Sequence, residues 1–116
     1  MFVEVPAVYL HRAPVDFRQS INGLSALVEG VMQLAPFSGA VFVFCNRRRD
    51  KLKILYWDQS GFALWYKRLE QARFQWPRSW PAAVIELREE QLHWLLSGYD
   101  ITRMTPHENV HYSRVL

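Results

Sequence analysis

From Asp16 to Pro36 apolar positions return every three or four residues: Phe17, Ile21, Leu24, Val28, Val31 and Ala35 share one face, with Leu27 and Met32 beside them. That period predicts an amphipathic helix over 16–35. Asp16 is placed to cap it, Gln19 three residues on completes a capping box, and Pro36 ends it. Ahead of it, the β-branched and aromatic run Val8 to Leu10 predicts a short strand bounded by Pro14. Behind it, the turn signal Pro36-Phe37-Ser38-Gly39 leads into Ala40 to Cys45, a continuous apolar run suited to a central strand.

The pattern then changes to strict alternation. In Lys51 to Asp58, Leu52, Ile54 and Tyr56 face one way and Lys53, Leu55 and Trp57 the other. With the polar turn Asn46 to Asp50 between them, the two runs predict an antiparallel hairpin. A turn at Asp58-Gln59-Ser60-Gly61 precedes Phe62 to Gln71, which reads as a helix with Phe62, Trp65, Tyr66 and Leu69 on one side and Lys67, Arg68 and Glu70 on the other. Arg73 to Trp76 reads as a short strand closed by Pro77, and the chain to Pro81 as loop. Val84 to Leu87 reads as extended. Glu89 to Ser97 reads as a helix that buries Leu92, Leu95 and Leu96 and ends at Gly98 in a left-handed cap. The order, roughly βαββαββα, predicts an α+β fold: a small mixed sheet containing a basic antiparallel hairpin, packed by two to three helices. One domain is expected over 1–100, with 101–116 as a C-terminal tail.

Composition narrows the class. The 116 residues are 50% hydrophobic and 22% charged, the balance of one globular domain and not of a disordered chain. The longest apolar stretch, Ala40 to Cys45, falls far short of the roughly 20 residues a membrane helix needs. Glu4, Pro6, His11 and Arg12 interrupt any secretory h-region, so the expected compartment is the cytoplasm, nucleoid-associated if DNA is the partner. Cys45 is the single cysteine, which excludes an internal disulfide and a multi-cysteine zinc site.

Net charge is only +3, but residues 47–78 hold nine Lys or Arg against three acids, a local excess of +6. Such an excess points to a polyanion. Arg47, Arg48, Arg49, Lys51 and Lys53 cluster at the tip and start of the hairpin; Lys67, Arg68 and Arg73 extend the patch, with Tyr56, Trp57, Trp65, Tyr66 and Trp76 interleaved. Guanidinium and ammonium groups contact phosphates, and aromatic rings stack on bases. The plainer reading is a solvated hairpin tip above an aromatic core.

Other chemistry is weaker. His107-Glu108-Asn109-Val110-His111 matches H-E-x-x-H, in which two His bind zinc and the Glu acts as base. It follows Pro106, has no apolar helical frame and leaves no room for a further ligand, so chance is the better explanation and no metal or other cofactor is called for. Asp16, Asp50, Asp58 and Glu70 lie nearest the basic region, yet a cap, two turns and an i,i+3 pair of Glu70 with Arg73 account for them. Cys45 ends an apolar strand and reads as a small buried hydrophobe. No phosphate-cradling glycine loop or nucleophile elbow occurs, and an enzyme is not expected.

Five runs in order, Pro14-Val15-Asp16-Phe17-Arg18, Pro36-Phe37-Ser38-Gly39, Val41 to Asp58, Tyr66-Lys67-Arg68-Leu69-Glu70 and Phe74-Gln75-Trp76-Pro77, resemble the TnpB-type accessory proteins of bacterial insertion sequences of the IS-sixty-six group. These are distinct from the RNA-guided nuclease that shares the TnpB name. The resemblance covers roughly residues 6 to 100; Val15 stands where Thr is common and Cys45 where a polar or basic residue is common. It implies a non-catalytic role in transposition beside a separate, element-encoded transposase that carries out the strand chemistry. Two partners follow as expectations: DNA, met at its phosphate backbone, or the transposase, met through exposed aromatics without direct DNA contact. Whether the unit is a monomer or a homo-oligomer stays open at this level, and a membrane is not expected.

Overall fold

A computed structural model describes residues 7–105. Val8–His11 forms β1, Ile21–Gly30 α1, Val41–Cys45 β2, Lys51–Asp58 β3, Gly61–Arg68 β4, Val84–Leu87 β5 and Glu89–Leu96 α2, followed by a 3₁₀ turn at Ile101–Arg103. The strands make one mixed sheet in the order β4-β3-β2-β1-β5. β1 and β2 are parallel and joined through α1, β2 to β4 run as an antiparallel meander, and β5 lies antiparallel to β1 on the far edge. The class is the expected α+β with its basic hairpin.

Alternation along the strands divides the apolar residues between two layers. Phe42, Phe44 and Leu55 meet Leu24, Val28 and Met32 of α1 and its exit, while Val41, Val43, Cys45, Leu52 and Ile54 meet Leu92 and Leu95 of α2, Phe74, Trp76 and Ile101. Central β2 is buried at all five positions because it is covered on both faces, which is why its sequence shows no alternation.

Three expectations need correction. The segment 62–71 is not a helix: Gly61–Arg68 is β4, paired over eight positions with β3 from Asp58↔Gly61 to Lys51↔Arg68. Its residues Phe62, Leu64 and Tyr66 face α1 and Trp65 faces α2, a period of two that the spacing of the aromatics disguised. The aromatic bulk of Phe62, Trp65 and Tyr66 and the tight turn after Asp58 favour a hairpin extension over a lone helix turn. The first helix is shorter than 16–35. It begins at Ile21, its N-cap is Ser20 without a side-chain bond, and Asp16 instead accepts from the backbone N–H of Arg18 (2.9 Å) and from its guanidinium. At the other end Gln33 takes a left-handed φ of 57° and Val31 is exposed, so the helix stops there, while Met32 and, in part, Leu34 pack on the core beyond it. Arg73 to Trp76 is no strand; it crosses under the sheet as irregular chain, with Phe74 and Trp76 buried and Trp76 Nε1 donating to the Arg12 carbonyl at 2.8 Å.

The second helix is as expected. Gln91 accepts from the Arg88 backbone N–H at 2.8 Å, and Gly98, at φ 94°, closes a Schellman end in which its N–H bonds to Leu95 and that of Tyr99 to Trp94. Leu92 and Leu95 are buried, Leu96 only partly.

Candidate nucleic-acid interface

The arginine loop connects β2 to β3 in five residues, Asn46 to Asp50. A backbone bond from Arg49 N–H to the Asn46 carbonyl (3.1 Å) closes a turn over Arg47 and Arg48, and Arg49 then takes the left-handed region at φ 61°. A turn followed by a left-handed residue is a standard way to close a short hairpin loop with the right twist. Asn46 braces it from within: its Nδ2 donates to Asp50 at 2.7 Å and its Oδ1 accepts from the Lys51 N–H at 3.0 Å. The Asn46 bond is the main reason the Asp50 carboxyl titrates below its ordinary range. The chain after β4 braces the loop from outside, with Leu69 N–H donating to the Asp50 carbonyl and Phe74 N–H to that of Arg49, both at 2.7 Å. The loop is thus held on both sides, and Arg47 and Arg48 project from it exposed.

Two open depressions flank Arg48. One, about 430 Å³, is lined by Phe17, Arg18, Arg47, Arg48 and Lys51 among others; the second, about 480 Å³, by Arg48, Asp50, Glu70 and Arg73 among others. Arg48 belongs to both, so the cations form a track across the end of the sheet, not an isolated tip. Arg18 reaches it from the chain before α1, a contribution not foreseen from sequence because it lies outside the charged run. Within the track Arg18 is already paired with Asp16, whose carboxyl is held down at about 2 chiefly by that guanidinium hydrogen bond.

The eight cations singled out from sequence do not behave alike. Arg47, Arg48 and Arg73 are exposed and Lys51 and Arg49 half-buried at the loop. Arg68 is exposed and pairs with Glu70 at 3.0 Å, which replaces the expected Glu70–Arg73 pair. Lys53 and Lys67 are turned to the protein itself. Lys53 Nζ donates to the carbonyls of Phe17 (3.0 Å) and Gln19 (2.7 Å) and lies 4.8 Å from the Phe17 ring centre; burial pushes its ammonium below the usual lysine range. Lys67 Nζ donates at 3.0 Å to the carbonyl of Leu96, one of the open carbonyls that end α2, where a cation also suits the helix dipole. Cover decides this: Lys53 and Lys67 leave the sheet on opposite faces at points where the chain before α1 and the end of α2 lie over them, whereas Arg68, on the same face as Lys53, and the loop cations lie beyond that cover.

Cys45 is buried and its thiol pushed up to about 12 by that burial, the condition of an inert core cysteine. Among the described residues no group of three His, Cys, Asp or Glu could hold a metal ion, and His107 and His111 lie outside them. No helix among the described residues is long and apolar enough to cross a membrane.

A two-layered cover on a mixed sheet, with a braced arginine loop at one corner, defines a small basic α+β protein that presents cations on a rigid turn. The family described as IS66 Orf2 like protein matches residues 6–106, nearly the whole chain. The chain belongs to that family, the accessory proteins of IS66-type insertion sequences. It is 41% identical over 91 residues to the uncharacterized protein y4jC of Sinorhizobium fredii (strain NBRC 101917 / NGR234), covering 78% of this chain and 77% of the relative. A second uncharacterized protein of the same strain, y4hO, is 37% identical over 93 residues, 80% of each chain. No solved structure matches.

Proposed function

We propose that this accessory protein acts in transposition without catalysing a step, by binding DNA of the element through its phosphates while the separate transposase performs the strand chemistry in the cytoplasm. The observation that carries the reading is the braced loop: Arg47 and Arg48 stand exposed on a turn fixed by Asn46 and by the chain at Leu69 and Phe74, with Lys51, Arg18 and Arg73 alongside. A preset cation loses less freedom on meeting a phosphate than a floppy one. Arg47, Arg48, Lys51 and Arg73 make the contacts, Arg49 and Arg68 add charge beside them, and Lys53 and Lys67 hold the strands that carry them. No cofactor enters the binding. The domain over 1–100, together with Ile101, which packs into its core, is the binding unit, and the remainder of the tail is not needed for it.

Fluorescence anisotropy of labelled duplex carrying the element's terminal repeat, against a scrambled duplex in a salt series, tests this. The double variant Arg47→Ala/Arg48→Ala is expected to bind more weakly and to flatten the slope of log affinity against log salt by about 1.8, at about 0.9 per phosphate contact. Equal affinity and slope for variant and native chain would overturn the proposal.

A second reading has its own support. Phe37, 61% exposed, meets Trp57 (4.9 Å between ring centres) and Phe62 (5.3 Å) at the opposite end of the sheet, and a partly exposed aromatic trio suits a protein partner such as the transposase. Retention of the transposase in nuclease-treated, high-salt extract, lost with Phe37→Ala, supports it; loss of all association under those conditions removes it.

A further inference from the structure

Next to the arginine loop the sheet leaves one aromatic ring in solvent. α1 covers the face around Phe42, Leu55 and Leu64, and the chain before it extends that cover as far as Phe17. Tyr66, two residues beyond Leu64 on β4, remains 50% exposed. Register sets it opposite Lys53, with Arg68 following on its own strand and Lys51 opposite Arg68, all on the same face. The Phe17 ring supports it at 6.5 Å between centres, tilted by 55°, and is itself held by Lys53. Phe17 also lines the depression formed with Arg18, Arg47, Arg48 and Lys51. A buttressed, half-exposed ring and the phosphate-binding cations therefore share one continuous surface on a rigid sheet.

In a duplex the faces of the bases are stacked on one another, and a ring lying on a sheet cannot reach them. An aromatic ring beside a cationic track meets a base only when that base is unpaired, the arrangement of single-strand binding surfaces. Tyr66 is also the one large ring the sheet leaves uncovered here: Trp65, its neighbour, packs against the opposite layer. We infer that the site takes unpaired nucleotides, with a base stacked on Tyr66 and the flanking phosphates on Arg47, Arg48 and Lys51. The inference rests on the DNA-binding reading above and specifies the form of DNA that fits.

Anisotropy of a labelled single-stranded 20-mer and of the same sequence as a duplex, at equal salt, tests it on the native chain and on Tyr66→Leu, Tyr66→Phe and Arg47→Ala/Arg48→Ala. The native chain is expected to bind the single strand at least as tightly as the duplex. Tyr66→Leu, which keeps apolar bulk on the strand but removes the ring, should weaken single-strand binding about five- to a hundredfold, the range of one base stack, and leave duplex binding within about twofold. Tyr66→Phe should keep native affinity for both. If Arg47→Ala/Arg48→Ala weakens binding while Tyr66→Leu changes neither oligonucleotide or both alike, the DNA reading stands and the unpaired-base inference is overturned. If the native chain binds neither form, both fall.

Discussion

The β3–β4 ladder joins two corners of the sheet that sit about 24 Å apart along eight residues and are built on opposite principles. At one, polar side chains and backbone bonds fix a turn so that Arg47 and Arg48 can stand in water. At the other, the turn Asp58 to Gly61 has no comparable side-chain brace, and three aromatic rings, Phe37, Trp57 and Phe62, meet around it at 4.9 to 5.3 Å. Charge needs a scaffold that hydrogen bonds supply, whereas apolar rings hold one another by contact. The first corner should therefore lose function when altered and the second stability.

Breaking the aromatic corner is expected to give the largest effect on folding. Trp57→Ala should cost about 2 kcal/mol in urea unfolding, less than the roughly 3–5 of a fully buried aromatic because part of the ring is already in water, and should leave DNA affinity unchanged. A loss of affinity without loss of stability would erase the contrast.

Lysines that look alike in sequence sharpen it next. Lys53→Met leaves the carbonyls of Phe17 and Gln19 without their donor and should destabilise by about 1–2 kcal/mol, while Lys51→Met should change stability by under about 0.5 and instead flatten the salt dependence of DNA binding. Matched unfolding and anisotropy measurements separate the two roles.

Asn46→Ala removes both side-chain bonds of Asn46 that brace the loop and should cost about 1 kcal/mol, with a loss of DNA affinity although no cation has been removed. The Asp50 carboxyl should titrate closer to its ordinary value in the same variant, followed by carboxyl-carbon NMR.

The smallest effect lies in acid. Asp16 titrates at about 2 in the folded chain against an ordinary 3.8, so its pairing with Arg18 contributes stability above pH 4 that fades as pH falls through 2. Asp16→Asn should flatten the melting temperature slightly over that range; because the pair is exposed, the change is small, and a steep remaining acid transition would assign it to other carboxylates.

What was legible beforehand follows from local rules. β1, β2, β3, β5 and α2 announce themselves through short-range pattern and turn chemistry, and the charged run from Arg47 to Lys53 is visible without any structure. β4 was not, since Phe62, Trp65, Tyr66 and Leu69 fit a helical spacing, and only the waiting edge of β3 selects the extended form. The shortened start of α1 has a similar cause. The 15–19 chain gives up helix to place Phe17 under Lys53 and beside Tyr66, and Val15 N–H bonds to the Cys45 carbonyl at 2.9 Å, contacts with residues about 30 to 50 positions away.

Sequence alone determined the α+β class, the hairpin, the excess of positive charge in the middle of the chain and the resemblance to the IS66-type accessory proteins, because periodicity, turn residues and charge are read over a few neighbouring positions. Tertiary structure decided which charges stand exposed and which turn to the protein itself. Lys53 and Lys67 leave strands toward covered faces and find carbonyls there, Arg48 rises from a loop between two depressions, and Arg18 joins from another segment. The reason is geometric: a side chain's direction out of a sheet, and what already covers that face, depend on the packing of distant elements.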